Sequence, residues 1–304
     1  MASNKLEVSD FDFDNIKANL KTFLRSQSEF QDYDFEGSGF SILLDTLAYN
    51  THYLGFNANM LANEMYLDSA DIRKNIVSLA KMLGYTPSSV RAPEANIDIL
   101  VGDGTGSSIT MTKGTAFTTT VDGTTFQFIN NADIVTTPVN GVYRFSDVDI
   151  YEGTLVTFRY TVDTTDTDQK FIIPSSLADT STLVVKVQTS SNDTTTNTYT
   201  LATGLATVQS TSKVYFLQEV EDGKFEIYFG DGVIGSALTN GNIIILEYIV
   251  TNVEAANGAS TFTASTTISG FSNLTITTNS NAQGGTTAES KESVRFNAPL
   301  QYSA

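Results

Sequence analysis

The sequence has no cysteine, no tryptophan and a single histidine, His52. The absence of cysteine excludes disulfides, thiolate chemistry and zinc sites with cysteine ligands. A single histidine excludes any metal site that needs two, and it leaves only His52 as the base of a Ser-His-Asp triad. Because His52 lies within a predicted helix, we expect an ordinary packed or partly exposed residue. The fold must then be held by burial and backbone pairing.

Basic residues are also scarce, since 17 Lys and Arg stand against 34 Asp and Glu and give a formal net charge of −17. Nucleic-acid binding needs clustered Lys and Arg, so this balance predicts no nucleic-acid partner. Long apolar runs are missing as well. The longest aliphatic run, residues 243–246, is far shorter than the ~20 residues of a spanning helix, and the acidic start MASNKLEVSDFDFD is unlike a secretory signal. We expect no membrane span.

The distribution of threonine divides the chain in two. Residues 1–94 hold four threonines, whereas the remaining 210 residues hold thirty-nine. Because β-branched residues favour strands, the sequence predicts a helical amino-terminal part and a β-rich part that begins near residues 87–93. The predicted fold class is α+β with several domains, namely a helical module, sandwich-like β-rich domains and a truncated helical start at the carboxyl end.

Apolar residues recur at helical spacing in three segments of the first part. They are Ile16, Leu20, Phe23 and Leu24 in the first segment, Phe40, Leu43, Leu44, Leu47, Leu54, Leu61 and Met65 in the second, and Ile72, Ile76, Leu79 and Leu83 in the third. Short polar side chains satisfy free N–H groups at a helix start, which predicts Asp12 and Asp14 at the first helix, Ser38 at the second and Ser69 at the third. Gly84 is predicted to end the third helix.

From residue 95 onward, short strands are separated by turn signals such as Asp122-Gly123 and Asn140-Gly141. This pattern is typical of sandwiches or a barrel-like β unit rather than of βαβ repeats. We predict a helical module over residues 1–92, β-rich structure over 93–212 and a glycine-marked β region over 213–287. Residues 288–304 are predicted to begin a further helical segment that is cut short.

The stretch from Lys224 to Gly258 reads KFEIYFGDGVIGSALTNGNIIILEYIVTNVEAANG. Apolar patterning predicts strands over 225–229 and 243–250, joined as a hairpin through a glycine-rich turn. The marked turn positions are Gly230, Asp231, Gly232, Gly235, Gly241, Asn242 and Gly258. A phosphate-binding loop would need a following helix and a lysine beside Ser or Thr, and neither is present. We predict that these residues serve backbone geometry.

Other candidate sites lack residues that their chemistry requires. Asp163, Asp166 and Asp168 cluster without the glycine and terminal glutamate of a calcium loop, which favours a solvated acidic loop and leaves calcium as the alternative. Residues 102–106 lack the strand–turn–helix context of a dinucleotide site and are predicted to form a turn. No pair of carboxylates stands out for glycoside hydrolysis. We therefore expect no metal, no cofactor, no small-molecule substrate and no enzymatic activity.

Two segments resemble a known family. The stretch FGDGVIGSALTNGNIIILEYIVTNVEAANG is similar to the glycine-marked core of baseplate J-like proteins of contractile phage tails. Residues 11–85 resemble the amino-terminal helical region of T4-like baseplate wedge proteins. The more specific part is FEGSGF at residues 35–40, followed by Leu43-Leu44-Asp45. Residues 289–299 also match the start of the family's next helical region.

The resemblance implies a structural component of the virion, assembled in the host cytoplasm, with no chemistry of its own. Such wedge proteins pair with themselves and with other wedge subunits to form the inner baseplate ring, which holds the sheath and transmits the signal to contract. The implied partners are therefore a second copy, in a dimer and a ring, and other baseplate wedge proteins. T4-like members continue past the Ala298-Pro299 element, so we expect the functions of their carboxy-terminal part to be missing here.

Two other hypotheses stay open at this point. Thr-rich strands with acidic loops are compatible with a virion-surface or secreted β-rich adhesin that binds glycans. An acidic carbohydrate-cleaving enzyme is the third hypothesis, and it would need two carboxylates that face each other in one cleft.

Overall fold

The computed structural model describes residues 12–35, 37–102, 106–202, 204 and 208–303. The chain divides into two compact units, which we name the helical unit (Met1–Tyr85 with Lys291–Ala304) and the β unit (Thr86–Ser290). The predicted α+β class is confirmed, because the described α-helices lie in the first unit and the described strands in the second.

The described part of the helical unit contains four α-helices. They are α1 (Phe13–Arg25), α2 (Phe40–Glu64), α3 (Arg73–Met82) and α4 (Lys291–Ser303). The three helices predicted in residues 1–92 are thus confirmed. Asp12 occupies the N-cap position of α1 and Asp14 its first turn, although the Asp12 side chain makes no capping hydrogen bond. Gly84 takes a φ of +78° just after α3, as expected for a helix stop.

The predicted caps of α2 and α3 are wrong. Gly39, rather than Ser38, occupies the N-cap position of α2, and Ile72 occupies that of α3. Ser69 donates its hydroxyl to the carbonyl oxygen of Asn63 at 2.6 Å, so it bonds backward to α2 instead of forward to α3.

The start of α3 is capped by a side chain from the end of α2. One carboxylate oxygen of Glu64 accepts the backbone N–H of Asp71 at 2.8 Å and that of Ile72 at 3.3 Å. The other oxygen accepts the side-chain amide of Asn75 at 2.7 Å. A carboxylate at a helix N-terminus satisfies free N–H groups and faces the positive end of the helix dipole.

Helix α4 packs against α3 within the helical unit. The buried residues of their shared core are Ala70, Ile76, Ala80, Val294 and Ala298. Lys291 Nζ also lies 2.8 Å from Asp71 Oδ1. The domain boundary predicted before residue 288 stays a prediction. In the structure, the helix of that segment, α4, packs into a core whose other residues lie about 220 positions earlier in the chain.

The described part of the β unit has sixteen strands. They are β1 (Glu94–Val101), β2 (Ile109–Met111), β3 (Ala116–Val121), β4 (Thr124–Asn130), β5 (Ile134–Thr136), β6 (Pro138–Val139), β7 (Val142–Glu152), β8 (Thr154–Thr161), β9 (Phe171–Ile172), β10 (Ala178–Gln188), β11 (Thr196–Leu201), β12 (Val214–Glu219), β13 (Phe225–Phe229), β14 (Ile243–Val250), β15 (Thr263–Ala264) and β16 (Leu274–Gln283). Short 3₁₀ helices cover Ser28–Phe30 in the helical unit and Glu221–Gly223 and Val253–Ala256 in the β unit.

These strands form two large sheets and one small sheet. The first sheet has the order β15-β3-β4-β7-β1-β16, with β6 also paired to β7, and the second has the order β8-β14-β10-β11-β12-β13-β9. Strands β2 and β5 form the small sheet, which contributes Ile109 and Met111 to the core of the first sheet. The pair β11–β12 is parallel, and the other strand pairs of the large sheets are antiparallel.

The second sheet is an insertion in the first. After β7 the chain builds all seven strands of the second sheet within residues 154–250, and it then returns to the first sheet through β15 and β16. The first and last residues of the insertion, Thr154 and Val250, are paired partners on β8 and β14. The boundary predicted between residues 212 and 213 stays a prediction, and strands from both sides of it, β11 and β12, are neighbours in this sheet.

Each large sheet buries one alternating face. In β1, Ile97, Ile99 and Val101 are fully buried and alternate with half-buried polar or apolar residues, as predicted. The predicted turn Asp122-Gly123 joins β3 to β4 with φ of +49° and +82°, the left-handed values that a two-residue hairpin turn needs.

The second sheet curls toward a barrel, which was the alternative to a sandwich in the sequence. Its two edge strands, β8 and β9, are joined when the Tyr160 hydroxyl donates to the carbonyl oxygen of Ile172 at 2.6 Å. Aromatic rings continue across this seam, with Tyr160 and Phe171 centroids 5.5 Å apart and Phe171 and Phe229 centroids 6.0 Å apart. Side chains therefore close the sheet where no backbone ladder is formed.

Candidate functional site

The glycine-rich segment after β13 is a tight loop held by one carboxylate. Asp231 Oδ1 accepts the backbone N–H groups of Ile234 and Val233, both at 2.9 Å. These two hydrogen bonds hold the pKa of the Asp231 carboxyl below its usual range. The arrangement is a local turn in which the aspartate bonds its own following backbone. The N–H groups of residues 232–236 are each bonded within the protein, so they are not free to hold a phosphate.

The three glycines of this loop are required for two different reasons. Gly232 and Gly235 take φ of +88° and +83°, and the Gly232 N–H donates to the Gly235 carbonyl at 3.0 Å. At Gly230 the reason is space, because a Cβ there would lie 2.3 Å from the carbonyl oxygen of Ile234. The loop is therefore a compact backbone structure with no room for side chains on its inner side.

Gly241 and Asn242 form a separate turn at the start of β14. Gly241 takes a φ of +83° and donates its N–H to the Val162 carbonyl at 2.9 Å. Asn242 Oδ1 accepts the Thr239 N–H and its Nδ2 donates to the Thr189 carbonyl, both at 2.8 Å. This turn ties the beginning of β14 to the ends of β8 and β10.

Gly258 lies in a third place, beside the first sheet, where it takes a φ of +89° and donates its N–H to the Ala282 carbonyl at 2.7 Å. The seven marked positions thus occupy three turns and do not converge on one site. The predicted hairpin is wrong, because β10, β11 and β12 separate β13 from β14 in the second sheet. The role of these residues in backbone geometry stays a prediction that the bonds above favour.

A group of exposed apolar side chains in the described helical unit lies on α2. We name it the α2 surface, and its members are Ile42, Leu43, Leu47, Tyr49, Tyr53, Leu54, Phe56, Met60 and Leu61. Ile42 and Leu61 are 72% and 68% exposed, whereas the buried residues of α2 are only Leu44, Ala48 and Gly55. The apolar spacing predicts a helix with a buried stripe, but it does not tell whether the chain itself covers that stripe.

The start of α2 is fixed by a cluster of four aromatic rings. Phe30, Tyr33, Phe35 and Phe40 lie with ring centroids 5.1–6.4 Å apart, and Phe35 is fully buried. The Arg25 guanidinium lies 5.7 Å from the Phe35 ring centre. The FEGSGF element therefore positions the helix that carries the exposed surface.

A cavity of about 460 Å³ lies on the β1–β16 face of the first sheet and is lined in part by Glu94 and Asp149. Partial desolvation and the nearby Asp149 charge raise the pKa of the Glu94 carboxyl, although the residue keeps exposed surface. Asp149 Oδ1 accepts the Asn96 side-chain amide at 2.7 Å. Two carboxylates thus share this cavity, but Glu94 is an exposed residue and Asp149 is bonded to a neutral amide.

The remaining candidates yield no assembled site in the described residues. Asp163 Oδ1 accepts the Thr165 N–H and hydroxyl, and Asp166 Oδ1 accepts the Asp168 N–H, so the acidic loop bonds its own backbone. No group of three or more His, Asp or Glu side chains in the described ranges is arranged to hold a metal ion. The turn predicted over 102–106 lies largely outside the described residues. Among described helices, none combines the length and apolarity needed to cross a membrane.

Comparisons with known proteins agree with this architecture. Residues 12–85 match the family model described as "Baseplate wedge protein gp6-like, helical domain", and residues 157–260 match "Bacteriophage baseplate wedge protein gp6, third domain". The second match nearly coincides with the inserted second sheet. The baseplate wedge protein gp6 of Enterobacteria phage T4 is 29% identical over 93% of this chain and 46% of its own length. The chain therefore spans less than half the length of this curated relative.

One solved structure, the cryo-EM structure of the anti-feeding prophage baseplate, matches 98% of this chain and 61% of its own chain at 9% identity and a TM-score of 0.37. A likeness at that level carries no argument about fold or function.

The two matched domains, one of which carries the exposed apolar helix α2, define the class as a structural protein of a phage baseplate. Within that class, the chain belongs to the gp6-like baseplate wedge proteins and is a component of the phage tail baseplate.

Proposed function

We propose that this chain forms the inner ring of the baseplate, by association with itself and with other wedge subunits, and couples the baseplate to sheath contraction without enzymatic activity. The observation that carries the proposal is the α2 surface. Nine large apolar side chains are exposed along one helix of 25 residues. Exposed patches of this kind on soluble proteins mark interaction sites.

The chemistry of the α2 surface favours another helix as its partner. Among Asp, Glu, Lys and Arg, α2 carries only Asp45 and Glu64, so the patch between them is uncharged. Helices associate by packing such apolar ridges and grooves against each other. Each aliphatic or aromatic side chain that becomes fully buried contributes about 1.5–3 kcal/mol, which is enough in sum to outweigh the entropy lost on association.

The charge of the β unit supports assembly with partners of opposite charge. Residues 86–290 hold twenty-one Asp and Glu but only eight Lys and Arg. A net charge of this sign keeps free subunits soluble and makes like β units repel each other. The α2 surface carries no charge of its own, so it adds nothing to this repulsion.

The proposal is tested by measuring association of the full chain, alone and with co-expressed wedge subunits of the same phage, in sedimentation velocity. We expect the native chain to self-associate or to enter a wedge complex. The double variant Leu54→Ser with Leu61→Ser should weaken that association by at least about tenfold, because it removes two of the anchors of an apolar interface.

The matched control is Asn50→Ser with Asn57→Ser, which changes two exposed polar positions on the same helix. The control should associate like the native chain, and circular dichroism should show equal helix content in all three proteins. A native chain that stays monomeric and binds no wedge subunit would contradict the proposal. So would a leucine variant that assembles normally.

A further inference from the structure

Four passages of the chain meet where the two sheets of the β unit join. They are residues 89–93, which lead into β1, residues 152–153, which lead into the second sheet, residues 251–253, which lead back, and residues 284–286, which follow β16. The Glu152 N–H donates to the Pro93 carbonyl at 2.9 Å, and Arg91 and Thr286 exchange backbone hydrogen bonds at 2.9 and 3.2 Å. We name this place the crossing.

A fully buried carboxylate holds the outgoing and returning passages together. Glu152 has no exposed surface, and it accepts the Thr251 hydroxyl at 2.6 Å and the Asn252 side-chain amide at 2.7 Å. It also accepts the Asn252 backbone N–H at 2.8 Å. All three donors are neutral, and within the described ranges Glu152 pairs with no Lys or Arg.

A second buried carboxylate holds the incoming passage to the second sheet. Asp179 on β10 is 2% exposed, and its Oδ2 accepts the Ala92 N–H at 2.8 Å. Its Oδ1 accepts the Ser181 N–H and hydroxyl at 2.9 and 2.6 Å. Ser89 Oγ lies 2.9 Å from the Thr180 hydroxyl on the same strand. Glu152 thus joins the outgoing passage to the returning one, and Asp179 joins the incoming passage to β10. The hydrogen-bond donors to both carboxylates are neutral groups.

The backbone at the crossing is tightly packed. A Cβ at Gly153 would lie 2.2 Å from the Val250 carbonyl oxygen, and one at Gly285 would lie 2.6 Å from Pro93 Cγ. Val253 takes a φ of +62°, which is strained for a β-branched side chain. Strain of this kind persists only where the surrounding structure enforces it, and its presence points to a functional constraint.

Apolar contact between the two sheets is limited by comparison. Among the described residues, the core between them has three buried members, Ala92, Ile129 and Ile249, with Ala116, Tyr151 and Leu155 packed around them. A buried carboxylate is costly to desolvate, and apolar residues of similar size are often as stabilising. Glu152 and Asp179 therefore contribute directional bonds that fix geometry more than they contribute stability.

We infer that the crossing is a latch that holds the two sheets in one fixed mutual position, so that the β unit moves and transmits force as a single body. When the hydrogen bonds of Glu152 are lost, the paired passages at residues 152–153 and 251–252 become a hinge. The latch is independent of the surface that the wedge partners use. A result that contradicts the latch therefore leaves the proposed assembly function unaffected.

The absence of cysteine in the whole sequence allows a direct test in the full chain. Spin labels are attached to Thr275→Cys on β16 and Thr200→Cys on β11, two exposed positions that lie on different sheets. Pulsed electron paramagnetic resonance then gives the distribution of the distance between them. The native background should give one narrow distribution, and Glu152→Gln should widen it at least about twofold or add a second distance, as hinge motion requires.

Hydrogen exchange supplies the local readout, since loss of its carboxyl acceptor on Glu152 should speed exchange of the Asn252 N–H by roughly 10- to 100-fold. Thr251→Val removes one donor and serves as a milder variant, with a widening in the same direction if Glu152→Gln does not fold. Glu226→Gln is the matched control, because Glu226 bonds the Gln218 side chain on the second sheet away from the crossing. If the distance distributions of Glu152→Gln and Thr251→Val are as narrow as that of the native background, the proposal is contradicted. This holds even if exchange of the Asn252 N–H is faster.

Discussion

At Gly230 the constraint is space, because its φ is not in the left-handed region while a Cβ would lie 2.3 Å from one backbone oxygen and 2.4 Å from a backbone carbon. Those atoms belong to the loop backbone and cannot turn aside as a side chain can. We expect Gly230→Ala to lower the free energy of unfolding of the β unit by about 2–4 kcal/mol, as overpacking against a fixed backbone does. Urea unfolding followed by intrinsic tyrosine fluorescence measures this loss.

Gly102→Ala is the control for that substitution. A Cβ at Gly102 meets nothing within 4 Å, and its φ is also outside the left-handed region. We expect the free energy of unfolding to change there by less than about 1 kcal/mol. The change should be a small increase, because alanine restricts the unfolded chain more than glycine does. Equal losses at both glycines would show that the loop at Gly230 relaxes around a methyl group.

Gly230 and Gly232 show what a sequence can and cannot tell at this scale. The Gly-Asp-Gly run predicts a turn, and a turn is present. Which glycine needs a positive φ and which needs empty space depends on atoms three to five residues away in the folded loop. That distinction becomes visible only when the backbone path is known.

At the scale of elements, the clearest prediction concerns the start of α3. Glu64 is the acceptor for two backbone N–H groups and one side-chain amide there. We expect Glu64→Ala to lower the free energy of unfolding of the helical unit by about 1–2 kcal/mol, the usual cost of losing a helix cap. Thermal unfolding of the full chain, followed by circular dichroism at the helix band, measures it.

Asp68→Ala offers a matched control, since Asp68 is an exposed acidic residue in the turn between the same two helices. It should change the unfolding midpoint much less than Glu64→Ala. Similar midpoints for the two variants would mean that the Glu64 bonds seen in the structure add nothing beyond general charge.

Elements themselves follow well from local pattern, whereas their partners do not. The helical spacing of Ile72, Ile76 and Leu79 and the alternation of Ile97 and Ile99 both give the correct element. The cap of α3 was missed because Glu64 reaches it from the preceding helix. The pairing of β13 was missed because neighbouring strands usually pair, but here the parallel pair β11–β12 places β12 beside β13 and leaves β14 next to β10.

At the scale of the whole molecule, an ion triad links the segment between β2 and β3 to the second sheet of the β unit and makes stability depend on pH. Lys113, just after β2, and Lys186 on β10 lie 2.9 and 3.0 Å from the carboxylate of Glu247 on β14. Burial raises the pKa of Glu247, but the hydrogen bonds and charges of the two lysines outweigh burial and leave the pKa below its ordinary value of 4.5.

A carboxyl with a lowered pKa in the folded state adds stability above its unfolded pKa of 4.5, and that stability is lost as the pH falls through the folded pKa. We therefore expect Glu247→Gln to lower the melting temperature near neutral pH. The difference from the native chain should shrink as the pH falls well below 4.5. Calorimetric scans of both proteins across that range measure it, and a difference that is constant with pH would contradict the ionic origin.

The α2 surface shows why the candidate site itself was only partly predictable. The sequence places an apolar stripe on this helix, and the same spacing would serve a core or an interface equally well. Exposure depends on whether the rest of the chain folds over the stripe. In the described residues it does so at Leu44 and Ala48 and leaves most of the helix uncovered.

The pairing of Thr154 with Val250 has a consequence for how this chain can have evolved. A segment whose two ends lie side by side can be gained, lost or exchanged for another without moving the rest of the fold. The 97 residues from Thr154 to Val250 are in this sense a cassette, and we expect a two-residue turn in their place to leave the ladder of the first sheet intact. Substitutions within this cassette can then alter its surface while the strand order of the first sheet that carries it stays the same.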